Sequence, residues 1–184
     1  TVLVDPFPDT TITNTADTLG INIVENIETA VNEYDIDGVV LCTPNSLHLS
    51  QVEYCVSHRK HVYCEKPLSL TRSEAVQMVN VCSQAGVLLG VGHERRFEPA
   101  WSQLKAIVES DSLGTIMYAE AHFSHDKLAG LPKDNWRADP AVAPAAGMTG
   151  MGVHLTDLMQ WLFGPVELVF AGVSHRILDF DTGD

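Results

Sequence analysis

The sequence predicts an α/β fold: an incomplete, doubly wound parallel sheet over residues 1–92, then part of an α+β region with an open antiparallel sheet over 93–184. Three observations predict it. Short β-branched runs alternate with helix-period patterns up to about residue 92, as in successive parallel β-α-β units. Beyond Gly114 the pattern changes to apolar/polar alternation, the mark of a half-exposed antiparallel strand. Residues 124–149 hold three prolines and little periodicity, and so long a loop in a compact chain is usually functional or disordered.

Taken in order, residues 1–5 read as a strand ending on Asp5, and 38–42 as a buried strand. Between them Asn26 caps a helix whose Ile27, Ala30, Val31 and Tyr34 share one face. Pro44 and Asn45 turn the chain into another helix, with Val52, Cys55 and Val56 on its inner side. A short apolar run, 61–64, ends at Glu65-Lys66-Pro67. Thr71-x-x-Glu74 is a capping box, Ala75, Val79 and Cys82 form the stripe behind it, and Gly86 is placed to stop the helix. The next strand is 87–91, and Pro99 opens a helix that turns Trp101, Leu104, Ile107 and Val108 inward. Residues 115–123 alternate, with Met117, Ala119, Ala121 and Phe123 on one face and Ile116, Tyr118, Glu120 and His122 on the other. A helix from about 151 to 163 stops at Gly164-Pro165, and 166–173 is again strand-like.

Composition excludes several functions. A formal charge of -13 argues against nucleic acid or an anionic membrane, either of which needs a basic face. Apolar stretches are only a few residues long and no charged-then-apolar leader opens the chain, so neither a membrane span nor a signal peptide is expected. Cys42, Cys55, Cys64 and Cys82 are spread without a CxxC, which reads as buried thiols in a reducing, cytoplasmic compartment. His122 and His125 would face opposite sides of a strand, and no His/Cys/Asp cluster has zinc spacing, so no metal is expected.

Four segments carry candidate chemistry, because ligands of open α/β sheets bind where the strands end. Asp5 is placed to accept hydrogen bonds from an adenosine ribose and to repel a 2'-phosphate, which favours NAD over NADP; it is equally a turn aspartate before Pro6. Thr43, Pro44 and Asn45 face the same edge, or simply start a helix. Lys66 either holds a substrate hydroxyl as hydride leaves or forms a solvated pair with Glu65. His154 and Asp157 share a helix face, so His154 is an acid/base for alcohol-carbonyl interconversion or a helix histidine satisfied by its i+3 neighbour.

Glu65-Lys66-Pro67, together with Thr43, Pro44, Asn45 and His48 and with Gly152-Val-His-Leu-Thr-Asp157, resembles the glucose-fructose oxidoreductase/inositol dehydrogenase/MocA family of nicotinamide-dependent oxidoreductases. The resemblance runs over essentially the whole chain. It implies a Rossmann-type NAD-binding domain over 1–92 and a substrate and oligomerisation domain over 93–184. It implies hydride transfer between NAD and a secondary hydroxyl of a sugar, cyclic polyol or related ring, with Lys66 and His154 catalytic and Asp157 able to touch substrate. Thr43, Pro44, Asn45, His48, Glu65, Lys66, Trp136 and Arg137 would bind cofactor, with Asp5 on the ribose. Arg96 would be mainly structural, and the Lys66-Pro67 bond is often cis in the family. The antiparallel sheet would join copies into a homo-oligomer.

Two departures stand out. No G-x-G-x-x-G is present, and the chain opens on what reads as a second strand, so a middle segment of a protein about twice as long is expected. The first aspartate of the family's D-x-G-x-H-x-x-D segment falls on Gly150. That leaves room for an NAD-assisted glycosidase or a dihydrodiol dehydrogenase on the same scaffold, or for a non-catalytic ligand-binding fragment.

Overall fold

The computed structural model describes residues 1–124, 126, 129–144 and 147–172. Five short strands alternate with helices in its first half: β1 (Val2–Val4), α1 (Thr10–Leu19), β2 (Asn22–Val24), α2 (Ile27–Glu33), β3 (Gly38–Leu41), α3 (His48–Ser57), β4 (His61–Cys64), α4 (Arg72–Ala85) and β5 (Leu89–Val91). β1 pairs in parallel with β2, Val2 opposite Asn22, and β3 pairs in parallel with β4, Gly38 opposite His61. β5 joins the far side of β4. Parallel neighbours joined by a helix are the β-α-β arrangement of a Rossmann-like fold. The second half adds α5 (Pro99–Glu109) and α6 (Val153–Phe163).

The chain divides into two compact units, one of residues 1–43, 47–64 and 71–90, the other of 44–46, 65–70 and 91–184. In the first, Val52 and Cys55 of α3, Val62 and Cys64 of β4, and Met78 and Cys82 of α4 are almost wholly buried. β3 differs from its expected burial: Leu41 is covered but Val40 is 66% exposed. α3 packs on β3, β4 and α4, so the strand alternates like a one-sided sheet instead of reading as buried on both faces. Cys42 is likewise exposed, whereas Cys55, Cys64 and Cys82 are buried.

Local signals explain the helix ends. The Thr71 hydroxyl accepts from the Glu74 amide while the Glu74 carboxylate accepts from the Thr71 amide, and Gly86 closes α4 in the left-handed region at φ 69°. The buried stripe of α4 is Met78 and Cys82, not Val79, which is 53% exposed. Asn26 caps α2 through its side chain, with Ala30 and Val31 buried, and Tyr34 lies just beyond the helix in extended backbone. In α5, Trp101, Leu104 and Val108 are half-buried and Ile107 is exposed.

Among the described residues of the second unit, Leu158 and Leu162 of α6, with Ala138 and Ala143, are the buried apolar ones. A π-helical turn, Met148–Gly152, leads into α6, which therefore starts at Val153. Residues 115–124 and 166–172 form no strand among the described residues; alternation specifies a face, but a ladder also needs a partner. Val173 and His125 lie outside the described residues, as do 127–128 and 145–146 of the long loop.

Candidate active site

Past the end of β3 the chain turns through Thr43, Pro44 and Asn45 into α3. The Thr43 hydroxyl donates to Gln51 Oε1 at 2.5 Å, and His48 Nε2 donates to the Thr43 carbonyl at 3.0 Å. His48 is fully buried and Asn45 nearly so, which makes His48 a brace of the turn. Asp5, past the end of β1, accepts from the Phe7 amide at 2.8 Å, the turn geometry that its sequence position allows.

β4 leads into Glu65, Lys66 and Pro67. Glu65 Oε2 accepts from the Lys66 amide at 3.1 Å. A Cβ on Gly92 would come within 2.9 Å of Glu65 Oε1, so the missing side chain at Gly92 is what lets the carboxylate lie there. The Lys66-Pro67 peptide is cis. Lys66 Nζ donates to the Gly150 carbonyl at 3.3 Å, in the π-helical turn four residues before His154.

α6 carries His154 and Asp157, and they take different partners. Asp157 accepts from Arg96 Nε at 2.8 Å and from Arg96 Nη2 at 2.5 Å, a bidentate pair, and His93 Nδ1 lies 3.6 Å from its Oδ2. This bond holds the Arg96 guanidinium above its ordinary pKa. His154 is 5% exposed, and its Nδ1 lies 3.7 Å from Glu94 Oε2 without a hydrogen bond among the described residues. The i+3 carboxylate therefore does not satisfy His154, because Arg96 holds it.

Burial depresses the His154 pKa below the usual histidine value. The Lys66 ammonium pushes it further down, Glu94 pulls it back up, and Arg95 and His93 lower it again. The imidazole is therefore neutral near pH 7 and able to take a proton. Lys66 and His154 thus form one electrostatically coupled cluster with Glu94, His93, Arg95 and the Arg96-Asp157 pair. Sequence reasoning missed His93 and Glu94; the available signal was a dense run of ionisable residues directly after β5, at a strand's C-terminal end.

The other expected residues keep local contacts. Trp136 and Arg137 lie in a short 3-10 turn, Trp136–Ala138, where Asn135 caps the Arg137 amide and the Arg137 guanidinium sits 4.1 Å from the Trp136 ring centroid. Among the described residues, no group of three His, Cys, Asp or Glu side chains is arranged to hold a metal ion, and no helix is long and apolar enough to cross a membrane.

Two family models match almost end to end. Residues 5–93 match "Oxidoreductase family, NAD-binding Rossmann fold", and residues 101–184 match "GFO/IDH/MocA C-terminal domain". The chain belongs to the Gfo/Idh/MocA family. Among its relatives in this family is inositol 2-dehydrogenase 2 of Saccharopolyspora erythraea, 32% identical over 77% of this chain and 39% of that protein. The NADP(+)-dependent scyllo-inositol 2-dehydrogenase of Bacillus subtilis is 28% identical over 88% of this chain and 44% of its own length. A levoglucosan dehydrogenase solved with NADH and levoglucosan is 25% identical and superposes with a TM-score of 0.82 over 96% of this chain and 48% of that one. The chain thus spans less than half the length of each of these Gfo/Idh/MocA relatives. The resemblance in Glu65-Lys66-Pro67 and in the segment around His154 is thereby borne out at the level of the family.

Proposed function

We propose that this chain is part of an NAD(P)-dependent oxidoreductase that transfers hydride between a nicotinamide and a secondary hydroxyl of a sugar, cyclic polyol or related ring. The observation that carries the reading is the meeting of Lys66 and His154 in one cluster, with His154 buried, neutral near pH 7 and its Nδ1 without a hydrogen bond among the described residues. The sugar and inositol dehydrogenases among its relatives support the substrate class.

The cluster suits a cofactor that accepts hydride at the strand ends, because it offers a cation and a proton acceptor to the hydroxyl that loses the hydride. The Lys66 ammonium donates to that hydroxyl oxygen and favours its alkoxide character, and His154 takes the hydroxyl proton as the carbonyl forms. In reduction His154 returns it. Thr43, Pro44, Asn45 and Glu65 would hold the cofactor with Trp136 and Arg137, with His48 serving that site from beneath by bracing the Thr43 turn. Asp157, whose oxygens Arg96 already engages, would meet substrate through its remaining lone pairs and otherwise fix α6. Asp5, where an adenosine ribose would lie, supports NAD over NADP.

The domain division at residue 92 belongs to the same reading, as does a homo-oligomer joined through an antiparallel sheet; exposed Met117, Tyr118, Leu168, Val169 and Phe170 support such a face. The buried thiols of Cys55 and Cys82 support a reducing, cytoplasmic setting. The test is NADH and NADPH formation against a panel of inositols and monosaccharides, with Lys66→Ala beside the parent. Turnover lost in a folded Lys66→Ala protein supports the reading. Near-normal turnover removes Lys66 from the chemistry.

A further inference from the structure

We infer that Glu94 is the carboxylate partner of His154, positioning the imidazole and supporting its protonated form; the inference deepens the dehydrogenase reading and rests on it for its catalytic part. A buried imidazole that gains a proton needs an acceptor for its second N–H, and an unpaired cation in a low-dielectric site is costly. His154 Nδ1 has no hydrogen bond among the described residues. The carboxylate nearest in sequence, Asp157, has both oxygens engaged by Arg96. Gly150, one turn earlier on the same side, contributes no side chain, and a Cβ there would meet nothing within 4 Å among the described residues.

Glu94 fills this gap. Its Oε2 stands 3.7 Å from His154 Nδ1, just beyond hydrogen-bond range, and its side chain is 56% exposed, so a small torsional change closes the bond when the ring takes a proton. Lys66, Arg95 and His93 act against protonation of the ring, and among the described residues Glu94 acts in its favour. Glu94 touches no reacting atom in this arrangement. It is a positioning residue, acting through His154 much as a carboxylate orients the histidine of a hydrolytic triad.

The test pairs turnover with a readout independent of it. In Glu94→Gln the His154 ring, followed by NMR through pH, should titrate lower than in the parent, and kcat should fall about 10- to 100-fold with KM little changed. The acid limb of the pH-rate profile should move down with it. Glu94→Asp should restore part of the loss. An unchanged His154 titration in Glu94→Gln overturns the pairing, whatever the turnover. A shifted titration with unchanged kcat overturns the catalytic part. Absence of NAD(P)-dependent turnover in the parent overturns the dehydrogenase reading, and the titration alone then decides whether Glu94 and His154 are partners.

Discussion

Replacing Asp157 by asparagine keeps the shape of the side chain and removes its charge, so it isolates the value of the Arg96 clamp. The structure shows two charge-assisted bonds, at 2.8 Å and 2.5 Å. Asparagine retains one acceptor and loses the other, and a hydrogen bond to a charged group contributes about 1.5–3 kcal/mol. Asp157 is 10% exposed but Arg96 is 37% exposed, so water recovers part of the loss on the arginine side. The expected cost is about 1–2 kcal/mol, well short of the ~3–5 kcal/mol for breaking a fully buried pair. All three tryptophans, Trp101, Trp136 and Trp161, lie within residues 91–184, so urea unfolding followed by tryptophan fluorescence reports on the unit that holds the clamp. Arg96→Gln should cost a similar amount, and the double variant should cost less than the sum, with a coupling of about 1 kcal/mol. A coupling below about 0.3 kcal/mol would mean that the pair behaves as a solvated surface bridge, and the argument that Arg96 fixes Asp157 would fail.

Three further outcomes follow from the same geometry. His154 has a folded pKa below its unfolded value, so the unfolded chain binds the proton more tightly; stability should be complete above about pH 6.5 and decline as pH falls below it, with a shallower decline in His154→Gln, measured by urea midpoints across pH. Burial raises the Cys55 thiol to about 11, so it should resist a thiol reagent at pH 8 while exposed Cys42 reacts, and its contribution to stability should be lost as pH rises from 9 through about 11; rapid native-state labelling of Cys55 would contradict this. Thr71→Ala removes the hydroxyl half of the α4 capping box and should cost about 1 kcal/mol by urea unfolding followed by circular dichroism, and no loss would show the box to be dispensable.

Helix α4 was legible because its instructions are local: Thr71 and Glu74 close one end and Gly86 the other. Its facing was less so. Residues 75, 79 and 82 and residues 75, 78 and 82 both satisfy a 3.6-residue period, and packing against α3 selects Met78 over Val79. Helix α1 escaped notice because five of its ten residues are threonine, β-branched and poor in helix propensity. It forms with Asp9 as its cap, Gly20 at its left-handed end, and the hydroxyls of Thr13, Thr15 and Thr18 donating to carbonyls four residues back. In the candidate site, Lys66 and His154 stood out through short motifs. The Arg96-Asp157 pair spans 61 positions, and no periodicity encodes such a contact; the same holds for Glu94 beside His154.

Helix α6 is held along its length by groups from one preceding stretch of chain. Arg96 grips Asp157 near its start, and Lys105 Nζ, from α5, donates to the Trp161 carbonyl near its end at 2.6 Å. A rod pinned at two points resists both rotation about its axis and sliding along it. The backbone amides of 158–161 should therefore exchange with solvent only when their whole unit opens, and the orientation of His154 becomes a fixed boundary condition to which any incoming molecule must conform.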